Sequence, residues 1–192
     1  MSHPCEIFAA AALDRLASCA GAGAAGNDIR IVEGVHPSWD ADAARVRLDW
    51  RAGDGALLQL DARVAGAPRW LTLNLDLGPG RFAPGDVIGL VAEAEAGAAC
   101  VLEPFTRSTG AQGDSDTDWS GRLALGRGRD VVCALHAVVP GDAMVAATQF
   151  HMLGLRLPHR DFGLRLHNLH LFVRPQAEAA EAPPMTLAGV TL

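Results

Sequence analysis

Apolar and polar residues alternate along most of this chain, and the alternation limits the fold more than any other feature. In residues 71–77 four leucines alternate with Thr, Asn and Asp, and residues 45–51 and 58–64 show the same period of two. Successive side chains of a strand point to opposite faces, so each segment is predicted to have one buried and one solvated face. Several short segments of this kind at close spacing are typical of an all-β sandwich.

Turns rich in Gly, Pro and Asp divide the chain into ten predicted strands. We expect these strands at residues 29–35, 44–51, 56–65, 69–77, 86–95, 98–106, 122–126, 130–139, 149–157 and 162–174. Ten strands of this length are enough for two packed antiparallel sheets. Residues 131–135 are apolar at almost every position, which predicts a central strand covered on both faces.

The alternation changes phase within the last predicted strand. Leu166 and Leu169 have opposite parity, although both belong to apolar runs. One extra residue restores the pattern, so we predict a β-bulge at residues 167–168. Such a bulge places His167 and His170 on the same face of the sheet.

One helix is predicted, over residues 4–20. Pro4 suits its first turn and alanines fill its middle, whereas the Gly-rich residues 21–26 end it and indicate a flexible link. We therefore divide the chain into residues 1–26 (helix and link), residues 27–175 (a β-sandwich domain) and residues 176–192 (an Ala/Pro-rich linker and an apolar tail). The helix and the tail are the expected contacts with a protein partner or a second copy.

Composition excludes several classes of function. The net charge of −6 argues against nucleic-acid binding, and no segment approaches the ~20 apolar residues of a membrane-spanning helix. The start of the chain lacks the basic residues of a secretion signal, so a cytoplasmic protein is expected. Four scattered cysteines form no zinc or redox motif. Reduced thiols are expected, and a bridge between Cys100 and Cys133 is the alternative left open.

Two groups of side chains suggest metal binding. Asp114, Asp116 and Asp118 alternate within the long polar loop 107–121, and such oxygen ligands suit Ca²⁺. The EF-hand pattern is incomplete, so a structural calcium site and a solvated acidic loop are both open. Five histidines lie between residues 136 and 170, either as ligands of a transition metal or as ordinary half-buried side chains.

An aromatic side chain beside planar polar groups suggests sugar binding. The ring stacks on the apolar face of a sugar, while Asn, Asp and Arg side chains hydrogen-bond its hydroxyls. We expect residues 70–76 and 107–121 to line the principal pocket for a carbohydrate or similar polar ligand. The predicted ligand-binding residues are Trp70, Asn74, Asp76, Arg107, Trp119, Arg156, Arg165 and His167. A polar face that is only solvated, or covered by the helix and tail, is the alternative. No catalytic residue is predicted, because no nucleophile motif occurs.

The order of strands in residues 29–174, the long loop 107–121 and the closing pair of strands resemble a jelly-roll sandwich of the galactose-binding-like or carbohydrate-binding-module type. The resemblance implies a non-catalytic module that binds glycans, in some members with a structural calcium ion. Two other functions stay open. One is a structural or assembly domain that contacts other proteins, and the other is a metal-dependent β-sandwich enzyme.

Overall fold

A computed structural model describes residues 2–146 and 148–176 of the chain. It contains the helix α1 (Pro4–Ser18) and a short 3-10 turn (Ala143–Val145). The strands are β1 (Gly21–Ala25), β2 (Val35–Trp39), β3 (Ala44–Gly53), β4 (Ala56–Gly66), β5 (Leu71–Gly78), β6 (Val87–Ala96), β7 (Cys100–Gly110), β8 (Gly113–Asp118), β9 (Leu123–Leu125), β10 (Asp130–Ala137), β11 (Thr148–Arg156) and β12 (Phe162–Arg174). In this part of the chain no helix is long and apolar enough to cross a membrane.

The strands form two antiparallel sheets. Sheet 1 has the order β1-β3-β4-β12-β6-β10, and sheet 2 has the order β2-β5-β11-β7-β8, with β9 pairing with β7. The sheets bury their leucine-rich faces against each other, so that Leu58 and Leu60 of sheet 1 and Leu71 and Leu153 of sheet 2 are inaccessible to solvent. Each such side chain contributes about 1.5–3 kcal/mol by leaving water. The predicted all-β, two-sheet sandwich with a short N-terminal helix is confirmed.

Helix α1 packs across the ends of strands from both sheets. The Glu6 carboxylate accepts hydrogen bonds from the His3 N–H at 2.8 Å and from the Val173 N–H at 2.6 Å. The first bond completes a capping box, and the second ties the helix to β12. Ala12 occupies the space above Gly34, whose φ of 89° and missing Cβ both permit this close approach.

The predicted bulge in β12 is confirmed. The pairing of β12 with β6 shifts between Leu166 and Asn168, which leaves His167 as the extra residue. The leucines on both sides of the bulge therefore face the core. His167 and Arg165 both approach the Glu95 carboxylate, at 3.3 and 3.7 Å, so they lie on the outer side of sheet 1.

The structure corrects three predictions about strands. Residues 21–26 are not a flexible link, because residues 21–25 pair with β3 as an edge strand. The loop 107–121 is mostly a hairpin, in which β7 and β8 meet at a turn near residues 111–112. The strand predicted to be central, β10, lies at the edge of sheet 1, with its outward side chains exposed.

Three further predictions need comment. The strand predicted at residues 29–35 is displaced, since β2 begins at Val35. All four cysteines are free thiols, so the alternative bridge between Cys100 and Cys133 is absent, and burial raises the pKa of Cys5 to about 12. The predicted apolar tail and all of its linker except Gln176 lie outside the described residues.

Candidate functional site

The outer surface of sheet 2 gathers polar residues from four strands. Directly paired residues of antiparallel strands point to the same face, so the register places Asn74 beside Gly154, Gly154 beside Phe105, and Phe105 beside Asp118. The flanking rows follow from the same pairings. We call this surface the polar face, and its main residues are Thr72, Asn74, Asp76, Phe105, Arg107, Asp116, Asp118, Gly154 and Arg156.

An aromatic ring lies at the centre of the polar face. The Phe105 ring covers Gly154 so closely that a Cβ at position 154 would overlap it. A glycine within a strand often marks such a close approach. The Arg156 guanidinium lies 4.6 Å from the ring centroid, and the Arg107 guanidinium lies 5.8 Å away. Phe105 is consequently only 4% exposed.

Each of the two guanidinium groups is held by its own aspartate. Arg107 donates from Nε and Nη2 to both carboxylate oxygens of Asp116, at 2.7 and 2.8 Å, and these bonds raise the pKa of Arg107. Arg156 donates a single bond, from Nη2 to Asp118 Oδ1 at 2.6 Å. Because Asp118 is mostly solvated, that pair contributes about 0–1 kcal/mol and can open at low cost. The two-bond Arg107 pair is geometrically more fixed.

Asn74 supplies an unused hydrogen-bond acceptor beneath the polar face. Its side chain is buried, and no donor among the described residues reaches its Oδ1. The neighbouring Thr72 is also buried, and its hydroxyl donates to the Ser38 carbonyl at 3.4 Å. A buried acceptor without a partner costs about 1–3 kcal/mol, which a water or ligand hydroxyl would recover.

The three aspartates of β8 do not converge on one point. Alternate residues of a strand lie ~6.6 Å apart, and each of these carboxylates has a different partner. The Thr109 hydroxyl donates to Asp114 at 2.6 Å, whereas Asp116 and Asp118 bind the two arginines. No group of three His, Cys, Asp or Glu residues within the described ranges could hold a metal ion. The geometry therefore gives the expected calcium site no ligand set.

Trp70 immediately precedes β5, beside the end of the polar face. It is 42% exposed, and the Arg69 guanidinium lies 5.0 Å from its ring centroid. Asp40 fixes that arginine by accepting from Arg69 Nε at 2.6 Å, a bond that lowers the pKa of Asp40 to about 2. Trp70 thus keeps one accessible aromatic surface, as a sugar platform requires.

Three of the predicted ligand residues lie elsewhere. Trp119 is buried, and its indole N–H donates to the Thr106 hydroxyl at 2.9 Å, so it is a core residue that cannot stack on a ligand. Arg165 and His167 lie on the outer side of sheet 1, across the sandwich from the polar face. His167 is held there by Glu95 and by the Gly55 carbonyl at 3.2 Å.

The structure therefore unites half of the predicted set. Asn74, Asp76, Arg107 and Arg156 share the polar face, with Trp70 beside it. That residues 70–76 and 107–121 line the principal pocket stays a prediction, and a separate cavity of about 730 Å³ lies between α1 and the end of β12. The sequence prediction misses Phe105, for which the isolated Gly154 in an apolar strand is the available signal.

No protein-family model matches the chain, and no curated protein matches its sequence. Among solved structures, the chain is similar to a family 4 carbohydrate-binding module, with a TM-score of 0.54 and 13% identity over 79% of this chain and 95% of the other. The family 11 carbohydrate-binding module from Clostridium thermocellum, in complex with a β-1,3-1,4-mixed-linked tetrasaccharide, gives a TM-score of 0.48 and 11% identity over 80% and 96%. The N-terminal cellulose-binding domain of β-1,4-glucanase C from Cellulomonas fimi gives 0.46 and 17% identity over 81% and 88%. The expected fold-level resemblance is confirmed.

Proposed function

We propose that the chain is a non-catalytic binding module that holds a carbohydrate on the polar face. One observation carries the proposal: the Phe105 ring lies over Gly154 at the centre of a surface of Arg, Asp and Asn side chains. Sugar recognition needs an aromatic surface for the ring carbons and planar polar groups for the hydroxyls. The sandwich also has the fold of a family 4 carbohydrate-binding module.

Binding requires one rearrangement on this face. Arg156 covers Phe105, but it is held by a single solvated ion pair, so a sugar can displace it at low cost. Opening the pair frees the ring for stacking and leaves Asp118 to accept a hydroxyl hydrogen. Arg107 and Asp116 stay paired and present polar groups to the ligand in a fixed position. Trp70 provides a second aromatic surface.

Affinity electrophoresis in gels that contain one polysaccharide each tests the proposal. We expect at least one neutral or acidic polysaccharide in the panel to retard the wild-type protein. Arg107→Ala should weaken this retardation, because it removes the guanidinium group that Asp116 holds in place on the polar face. Arg165→Ala is the matched control: it removes a similarly exposed arginine from the outer side of sheet 1. Equal losses in the two variants, or no retardation by any polysaccharide, would contradict the proposal.

The assembly-domain alternative has an observation in its favour, because sheet 1 presents an exposed apolar surface on its outer side. This surface lies on the opposite side of the sandwich, so partner contact and sugar binding are compatible. We also propose a cytoplasmic location, as the sequence suggests, and fractionation of the producing cells would test it.

A further inference from the structure

The outer side of sheet 1 near β10 is apolar and exposed. The register places Cys133 beside Val91 of β6, and Leu135 beside Gly89, whose surface is covered by the Phe172 ring. Leu135 is 48% exposed, and Val131 and Cys133 on the same face are exposed as well. We call these residues of β10, β6 and β12 the apolar face.

A groove continues the apolar face toward the helix. The cavity of about 730 Å³ lies between β12, including Phe172, and α1, which contributes Ile7, Ala10 and Ala11. Ile7 is 60% exposed, although the opposite side of α1 already packs on the sandwich. This helix leaves the large apolar side chains of Ile7 and Phe8 in contact with solvent, beside the charged and exposed Asp14 and Arg15. Both α1 and β10 therefore leave large apolar side chains exposed to solvent.

The size of this surface fits a protein interface. Three strands and one helix span about 24 Å in width, and four rows of side chains span about 27 Å in length, or about 650 Å² in all. Stable protein interfaces of standard size bury about 600–1,000 Å² per partner, whereas most crystal contacts bury less than about 400 Å². The charged side chains of this surface have both signs: Glu93 is neutralised by Arg129 at 2.7 Å, the Arg174 guanidinium lies 5.7 Å from the Phe172 ring centroid, and Glu6 and Asp14 line the groove. An apolar surface whose charges are of both signs can pack against an identical surface.

We propose that a second copy of this chain covers the apolar face and the groove, forming a two-fold symmetric homodimer. In such an interface the same patch serves both partners, so uncharged apolar residues are self-complementary. The polar faces of the two copies then point outward, which leaves both free for ligand. The proposal stands independently of the carbohydrate proposal, because the two surfaces lie on opposite sides of the sandwich.

Sedimentation velocity of the full chain over a range of concentrations tests the dimer. Wild type should sediment as a dimer that dissociates on dilution. Leu135→Arg should weaken self-association at least tenfold, because each dimer would bury two guanidinium groups without counter-charges. The matched control is Val101→Arg, since Val101 is also 48% exposed but lies on β7 of sheet 2. Dissociation of both variants alike would overturn the proposed surface.

A second pair of variants guards against misfolding of the first. Ile7→Glu should dissociate the dimer, whereas Ile29→Glu, which changes a similarly exposed isoleucine (62% against 60%), should not. Peptide mapping of alkylated protein should show that Cys133 reacts faster after dilution. A wild-type protein that is monomeric at every concentration would overturn the proposal. A monomer with Cys133 protected at every dilution would instead indicate that residues 177–192 of the same chain cover the face.

Discussion

Substitution of Gly154 by Ala tests the packing at the centre of the polar face. The added Cβ would overlap the Phe105 ring, so the ring must move away from β11 together with the arginines above it. Overpacking of this kind costs about 1–3 kcal/mol in the free energy of unfolding. Gly128→Ala is the control, because a Cβ there meets no heavy atom within 4 Å. The control should stay within about 0.5 kcal/mol of wild type.

Equilibrium unfolding in urea measures these changes as shifts of the midpoint at constant slope. The reasoning makes a second claim, that the cost of Gly154→Ala comes from contact with the Phe105 ring. In a Phe105→Ala background the added methyl group should therefore cost almost nothing, which gives a coupling energy of about 1–3 kcal/mol. Additive effects of the two substitutions, or a Gly154→Ala variant as stable as the Gly128→Ala control, would refute this account.

Three further predictions concern stability. Burial lowers the pKa of His151, whose Nε2–H donates to the Gly80 carbonyl at 3.2 Å and whose Nδ1 accepts from the Ser108 hydroxyl at 2.9 Å. The free energy of unfolding should hold above the unfolded-state pKa of about 6.5 and decrease as the pH falls through it, and His151→Gln should flatten that decrease in urea titrations. Deletion of His167 removes the bulge and turns Leu169 to solvent, so cooperative thermal unfolding should be lost; an unchanged melting curve would contradict the register. A chelator should leave the melting temperature unchanged, because the β8 carboxylates are already paired. A fall of the melting temperature by many degrees would instead support the predicted calcium site.

Alternation in the sequence locates a strand when one face is buried and the other is wet. It places β3, β4 and β6 within two residues of their observed ends, because these strands satisfy that condition. It misses β1, whose Gly and Ala residues carry no contrast, and β8, which lies at a sheet edge with nearly all of its side chains exposed. It misplaces β10 at the centre, because both faces of that edge strand are apolar.

The candidate site depends on which strands are neighbours, and local pattern does not contain that information. Arg156 and Arg165 have the same alternating context, yet β11 belongs to sheet 2 and β12 to sheet 1. Asn74 and Arg107 share one face of sheet 2 because β11 lies between β5 and β7 and pairs with both strands. Trp119 follows an acidic strand and resembles a surface residue in sequence, but its indole N–H is used inside the core.

Calorimetric titration with the polysaccharide that most retards the protein in gels tests the central claim most directly. Phe105→Leu keeps an apolar side chain on the polar face but removes the stacking surface, and Phe172→Leu makes the same change over Gly89 on sheet 1. An aromatic contact contributes about 0.5–1.5 kcal/mol, so Phe105→Leu should weaken binding by about two- to twelvefold, while Phe172→Leu leaves the affinity unchanged. Wild-type affinity in Phe105→Leu would contradict the assignment of the polar face as the carbohydrate site.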